Sequence, residues 1–358
     1  MLQQKGYQYR IYPTKQQQQL INQTLGCARF VYNRFLNIRK EAWTNSKTSV
    51  TYKQTSKMLT ELKCEPDYVW LNVVDSTSLQ QALKDLDKGF KNFFAKKAGY
   101  PRYKSKHNHC LSYRSQCVNN NIAITNGKLK LPKIGLVKIK LSRNFTGRIL
   151  NVTVSRKATG KYFVSLCVEE EVEVFPNNGG EIGIDVGIKD FYSDSNGDVA
   201  ANPKTLKKYS KKLAREQRKL SRKAKGSNNR NKQRIIVARV HEKIANIRKD
   251  YLNKVSTKLV KENQLIGIED LQVRNMLKNH QLAQAISDVS WSEFFRMLEY
   301  KAVSHGCRVV RVPRFYPSSQ TCCKCGYQNK DTKNLAIRAW DCPVCGHHHD
   351  RDVNAARN

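Results

Sequence analysis

Two pairs of cysteines restrict this chain more than any other feature. Cys322 and Cys325 in "CCKCG" form one CxxC, Cys342 and Cys345 in "CPVCG" form a second, and sixteen residues lie between them. That spacing suits two knuckles that share one tetrahedral zinc ion, with a glycine after each pair to turn the backbone amides toward the thiolates. Four thiolates close the coordination shell, so the site reads as structural rather than catalytic. His347, His348 and His349 could compete as ligands, but no position is left open for them. Cys323 is the spare residue, because pairing it would leave a single residue before Cys325. The chain has 11 cysteines, an odd number that argues against a disulfide framework. Cys27, Cys64, Cys110, Cys117, Cys167, Cys307 and Cys323 are read as reduced and structural.

Acidic residues are scarce, and three of them stand in unusual places. In "GEIGIDVGIKDF", Ile182, Ile184, Val186 and Ile188 alternate onto one face of a strand, and Asp185 falls on the other, between Gly183 and Gly187. Glu269 ends the apolar strand "QLIGIEDL". Asp352 opens a short helix in "HDRDVNAARN", where Ala355 and Ala356 are available for packing. Taken singly, an aspartate flanked by glycines is more often a turn or hydrogen-bonding residue than a catalyst. As a set, two carboxylates on strands and one at a helix start match what two divalent ions about 4 Å apart need for phosphodiester cleavage. Magnesium prefers such hard oxygen ligands and keeps its remaining sites for water and phosphate.

Lys and Arg number 65 against 29 Asp and Glu, a formal net charge of +36. An excess of this size spread along the chain points to a polyanion, with counterion release from phosphates as the driving force. A plainly basic soluble protein and one bound to acidic membrane are the competing readings. No stretch approaches the roughly 20 apolar residues of a membrane span, and the N-terminus has no apolar signal core. The chain is therefore expected to be soluble and cytoplasmic.

"KGYQYRIYP" reads as a strand, followed by a long helix that Thr14 caps. A second helix is expected over about Ser76–Lys97, with Leu79, Leu83, Leu86, Phe90 and Phe94 as its buried stripe. Ser76, Gln80 and Lys84 form another stripe, exposed to solvent or to a partner. From about Cys110 to Val172 short strands alternate with turns, "TNGK" and "ATGK" among them, and predict a compact β-barrel or sheet. "FPNNGG", Phe175–Gly180, reads as a linker and the main domain boundary. A helical stretch from about Lys204 to Lys254, broken by "KGSNNRNK", holds 19 basic residues against 3 acidic ones. It reads as a helical hairpin that grips a phosphate backbone. "NQLIGIEDL" and "CRVVRVP" are two further strands, with a helix over Ser290–His305 between them.

"YRIYPTKQQQQLINQTLGCARFVYN", "LQQALKDLDKGFKNFF", "GIDVGIKDF", "IGIEDL", "SSQTCCKCG", "CPVCG" and "DRDVNAARN" occur in this order. From end to end the chain resembles the TnpB family of transposon-encoded, RNA-guided DNA endonucleases, relatives of type V CRISPR effectors. The resemblance implies an α/β multidomain fold: a split ribonuclease H-like (RuvC) nuclease domain with an inserted zinc ribbon, a β-barrel wedge domain and a helical recognition domain. The implied boundaries are wedge strand 1–12, recognition domain 13–106, wedge barrel 107–175, nuclease 176–320 with a basic hairpin at 204–254, ribbon 321–346 and last nuclease motif 347–358. Asp185, Glu269 and Asp352 would hold two Mg²⁺ ions, and the cysteines one Zn²⁺. The family motif D-x-N-A-A selects Asp352 over Asp350, a choice that spacing alone leaves open.

The implied partners are a guide RNA from the transposon end and double-stranded target DNA flanked by a short recognition motif, with no membrane. Tyr52, Ser76, Thr77, Gln80 and Gln81 are candidates for contacts to that motif. Lys207, Lys208, Lys211, Lys212, Arg215 and Arg218 are candidates for backbone contacts. The sequence stops directly after the last motif, where family members usually continue, so fraying around Asp352 is expected. A guided repressor that does not cut, and a DNA-joining transposase, are the alternative functions.

Overall fold

The computed structural model describes residues 2–107, 110–172, 174–176, 179–334 and 336–358. The chain separates into two units, Leu2–Glu171 and Val172–Asn358. The division falls just ahead of the expected linker at 175–180, of which Asn177 and Asn178 lie outside the described residues.

In the first unit β1 (Leu2–Tyr12) places Tyr7, Tyr9 and Ile11 inward by simple alternation. Helix α1 (Lys15–Ser46) begins at the expected cap. Thr14 accepts from the Gln17 N–H, and the Gln17 side chain accepts from the Thr14 N–H, which together make a capping box. Its residues Ile21, Leu25, Ala28, Val31, Phe35 and Leu36 repeat at helical spacing and are buried with α2 (Tyr52–Leu62) and α3 (Ser76–Phe94). Of the expected α3 stripe, Leu79, Leu83 and Leu86 are buried and Phe90 is half-buried. Phe94, on the last helical residue, runs past the end of the core and is 74 % exposed.

Six further strands follow: β2 (Cys110–Gln116), β3 (Ala123–Thr125), β4 (Lys128–Leu131), β5 (Gly135–Lys140), β6 (Arg148–Lys157) and β7 (Tyr162–Glu171). With β1 they form one antiparallel sheet in the order β2-β6-β7-β1-β5-β4-β3. Both expected turns are present. Asn126 and Gly127 take the positive φ of 49° and 68° that a tight hairpin of this hand requires, and Gly160 does so between β6 and β7. The end strands β2 and β3 do not pair with each other, so by hydrogen bonding the sheet is open. The side chain of Cys110 lies outside the described residues.

The second unit is built on a five-stranded sheet of β8 (Glu181–Val186), β9 (Asp190–Asp194), β10 (Val199–Ala201), β11 (Leu265–Glu269) and β12 (Arg308–Val312). Their order is β10-β9-β8-β11-β12, with β8, β11 and β12 parallel and β9 antiparallel to its neighbours. One face is covered by apolar residues of α5 (Asn228–Glu262), α7 (Ala283–Val289) and α8 (Trp291–His305), with Ile184, Ile266, Ile268, Phe191 and Phe294 at the centre.

Helix α4 (Thr205–Ser221) packs on α5 through Leu213, Val237, Val240 and Ile244. The break between these helices is shorter than the sequence suggests. Ser227 accepts from the Arg230 N–H and caps α5, so "NNRNK" is already helical, and the helix runs on to Glu262. Buried Leu252, Leu259 and Val260 continue the pattern where the charge count had suggested an end. The short helix α6 (Val273–Met276) follows β11. A two-stranded ribbon, β13 (Ala339–Asp341) with β14 (His348–Asp350), leads into the final helix α9 (Arg351–Arg357). No helix among the described residues is long and apolar enough to cross a membrane.

Candidate functional site

Strand register brings the first two carboxylates together. In the parallel pair β8–β11, Ile184 is opposite Ile268, so one step further Asp185 meets Glu269 on strands about 4.8 Å apart. Alternation sends both side chains away from the core that holds Ile184 and Ile268. The third carboxylate arrives by helix packing. At Gly183 an added Cβ would lie 1.7 Å from the Ala356 carbonyl oxygen, so α9 rests directly on the strand backbone. Four residues of helix, about 6 Å, lead from Ala356 back to Asp352. Two residues of strand, about 6.6 Å, lead from Gly183 to Asp185. The two steps match, and Asp352 comes within range of Asp185.

Burial, and then the Glu269 and Asp352 carboxylates, push the Asp185 carboxyl from 3.8 up to about 8, against the pull of the Arg351 guanidinium. Burial also raises Glu269. Asp350 is engaged elsewhere, since its carboxylate accepts from the N–H groups of Asp352 and Val353 and caps α9. Asp352 is 45 % exposed and lies 3.6 Å from Arg338 of the ribbon.

The fit to a divalent cation rests on the donor set. Crowding that holds a proton on Asp185 near neutral pH is the field that a hard cation relieves. The carboxylates do not close to mutual spacings under 4.8 Å, as two cysteine-containing clusters among the described residues do; they form an open group.

Two consequences can be measured. Between 3.8 and about 8 metal-free folded protein holds a proton on Asp185 that the unfolded chain has released. The stability this proton lends is present in full below 3.8 and is lost as pH rises through about 8. Melting in chelator at stepped pH should therefore show a decline that Asp185→Asn removes. Gly183→Ala forces α9 off the strand and should cost about 3 kcal/mol, read as a lowered denaturant midpoint.

The first cluster with closed spacing consists of Cys322, Cys325, Cys342 and Cys345, all Sγ within 4.8 Å of one another. The pairs Cys322–Cys345 and Cys325–Cys342 lie 3.6 and 3.5 Å apart. A tetrahedral ion about 2.3 Å from each sulfur sets them about 3.8 Å apart, so the thiolates fit zinc. Gly326 and Gly346 take φ of 77° and 67° and donate N–H to the Cys322 and Cys342 carbonyls, closing both knuckles. Cys323, His347 and His349 form the second cluster. His349 is buried against Trp340 with Nε2 3.1 Å from Cys322 Sγ, the position of an outer-shell donor to a ligating sulfur.

Asn354 is the asparagine of the D-x-N-A-A motif, whose role the sequence left unread, and Asn358 lies outside the motif; their spacing of four puts them on one face of α9. Both side-chain amides donate to the Ser318 and Thr321 carbonyls, and the Asn354 side-chain carbonyl accepts from the Cys323 N–H. They clip α9 to the first knuckle, so the end is tied rather than frayed.

A cleft of about 830 Å³ opens beside Glu269, between β11, β12 and α9. On its rim the Tyr316 N–H donates to the Pro313 carbonyl (3.1 Å), closing a turn with Phe315 in third position at φ 65°. The turn is fastened to the residue after Glu269, because Arg314 pairs with Asp270 through Nε (3.1 Å) and Nη2 (2.5 Å), and Arg311 adds a contact at 3.3 Å.

The expected nucleic-acid contacts divide. On α4, Lys207, Lys208, Lys211, Lys212, Arg215 and Arg218 are all exposed, with Arg215 also paired to Glu216. Asp288 of α7 accepts from the Leu206 and Lys207 N–H groups and caps α4, a long-range contact without a local signal. Ser76 and Gln80 are exposed and Tyr52 is half-buried. Thr77 is occupied in the α3 cap, bonded to Asp75 and Ser115. Gln81 is 3 % exposed, because it falls on the face of α3 that carries Ser78 and Ala82 into the core.

A family described as a probable transposase, of the OrfB IS605 type, matches residues 165–280, and a Cas12f1-like TNB domain matches 291–358. A family described as a helix-turn-helix domain matches 1–48, although here that segment is one strand and one continuous helix. A Streptomyces pristinaespiralis protein named as a candidate RNA-guided DNA endonuclease is 44 % identical over 99 % of this chain and 88 % of its own length. InsQ of Escherichia coli K12, named likewise, is 36 % identical over 99 % and 91 %. Among solved structures, Cas12f1 in complex with sgRNA and target DNA shares the fold at a TM-score of 0.65 and 13 % identity, covering 99 % of this chain and 98 % of that one. The CRISPR-Cas_phi3 endonuclease does so at 0.53 and 10 %, covering 99 % and 91 %.

Proposed function

Because the chain belongs to the family of transposon-encoded, RNA-guided DNA endonucleases typified by TnpB, we propose that it cuts DNA at Asp185, Glu269 and Asp352 under the direction of a bound guide RNA. The carrying observation is the meeting of Asp185 and Glu269 at the ends of parallel strands, with Asp352 brought to them by α9. The sheet order, in which only the second strand runs antiparallel to the core strands, supports a ribonuclease H-like nuclease domain.

Asp185, Glu269 and Asp352 would hold two Mg²⁺ ions, which when bound lower the pKa of a water and offset charge on the scissile phosphate. Asp185 must first give up its proton, which the electrostatics make easier above about pH 8. Arg351 lowers the cost of that deprotonation. Cys322, Cys325, Cys342 and Cys345 would hold one structural Zn²⁺, and the ribbon then fixes α9 through Asn354 and Asn358. The exposed bases of α4 would bind phosphates without reading sequence.

The remaining architecture follows the same reading. Strand 1–12 and residues 107–175 serve as the wedge, 13–106 as the recognition domain, 176–320 and 347–358 as the nuclease, and 321–346 as the ribbon. Guide pairing supplies sequence specificity, the guide comes from the transposon end, and Ser76 and Gln80 are exposed candidates for reading a target-adjacent motif.

The test is plasmid cleavage in Mg²⁺ by protein co-expressed with its transposon-end RNA, on targets with a randomised flank. Cutting that requires both the guide and a flank is expected. Guided binding without cutting would instead favour the repressor, and joining of DNA ends without RNA the transposase.

A further inference from the structure

Phe315 is placed against both of its own preferences. It occupies the third position of a turn at φ 65°, where the backbone favours glycine, and its phenyl ring is 94 % exposed. Neither conformational preference nor the hydrophobic effect keeps a phenylalanine there, and at 94 % exposure no packing among the described residues compensates. Strain of this kind concentrates at binding and catalytic positions.

The placement is also rigid. Arg314, the preceding residue, grips Asp270, the neighbour of Glu269. Phe315, Tyr316, Glu269 and Arg357 line one cleft, so a ring standing free at its rim is held in register with Glu269. A free aromatic face, with the Arg357 guanidinium lining the same cleft, is the equipment that receives an unstacked base and its phosphate.

We propose that Phe315 is a stacking platform for one unpaired nucleotide of the strand that enters the carboxylate cluster, and that it positions the neighbouring phosphate at Glu269. This rests on the nuclease reading for the identity of the strand. The occupant is single-stranded, because a base still paired and stacked in a duplex has no free face to offer.

RNA-bound protein made inert by Asp185→Ala is mixed with guide-matched DNA carrying 2-aminopurine at successive positions of one strand. Quenching at one position is expected, and its loss in the Phe315→Gly background. In otherwise native protein Phe315→Gly should slow cleavage about tenfold or more, with Tm unchanged or raised because glycine suits the turn, and Phe315→Trp should restore both readouts. Unchanged quenching and cleavage in Phe315→Gly would overturn the proposal. So would a lowered Tm, or a Trp variant as slow as the Gly variant, either of which assigns the ring to folding. Failure of the nuclease reading would show separately, as native protein that leaves guide-matched DNA intact, while the quenching is read in protein that does not cut.

Discussion

Substituting Asp185 by alanine is expected to lower guide-directed DNA cleavage on the order of 10³-fold or more, while retention of RNA by the purified protein stays near the native level. The size follows from position. Loss of an outer-shell partner of a metal site typically costs about 10- to 100-fold, and Asp185 is proposed as an inner ligand at the centre of the cluster. Burial, Glu269 and Asp352 all act on it. RNA retention should survive, because the exposed cations of α4 are separate side chains and none of them pairs with Asp185. Alanine also removes a strained ionisable group, so the variant should fold at least as well as native protein in chelator. Cleavage rates of 5′-labelled target, together with RNA copurification, decide the matter. Loss of both activities together would remove the separation of cutting from guide binding.

The second large effect concerns the ribbon. Cys342→Ser deletes one of four thiolates whose zinc affinity is worth about 10–16 kcal/mol in small structural sites, so most of the bound metal should go. The loss reaches the carboxylates by a traceable route. The first knuckle supplies the Ser318 and Thr321 carbonyls and the Cys323 N–H that hold Asn354 and Asn358, and α9 carries Asp352. Zinc content near one per chain in native protein, falling to near zero in the variant with cleavage lost in parallel, is the expected pattern. A zinc-free variant that cleaves normally would show that α9 needs no help from the ribbon. Prolonged chelation of native protein should reproduce the variant, and zinc rather than magnesium should reverse it.

Local signals were the legible part of this structure. Alternation predicted the faces of β8, the Thr14 cap announced α1, and the paired CxxC motifs drew their four sulfurs together. The closeness of Asp185 and Glu269 was suggested by the pattern of each strand, but it depends on a register of parallel strands far apart in sequence. Asp350 and Asp352 could not be told apart by spacing, because both open the same helix; in the structure Asp350 caps that helix. Contacts between distant segments left no periodic trace. Asp288 at the α4 terminus, Asp270 under the Arg314 turn and the asparagine clip all belong to that class. Gln81 shows the converse: a polar side chain on a helix looks available until neighbours on its face turn inward with it.

The wide separation of the acidic residues along the chain has a consequence for synthesis. Asp185 and Glu269 sit on strands complete by residue 269, whereas Asp352 is delivered by the α9 segment far downstream. A nascent chain therefore displays its basic hairpin to nucleic acid well before it carries a complete set of carboxylates. A reading frame interrupted in that interval would yield a product that carries the basic hairpin but lacks Asp352, the third of the proposed metal ligands.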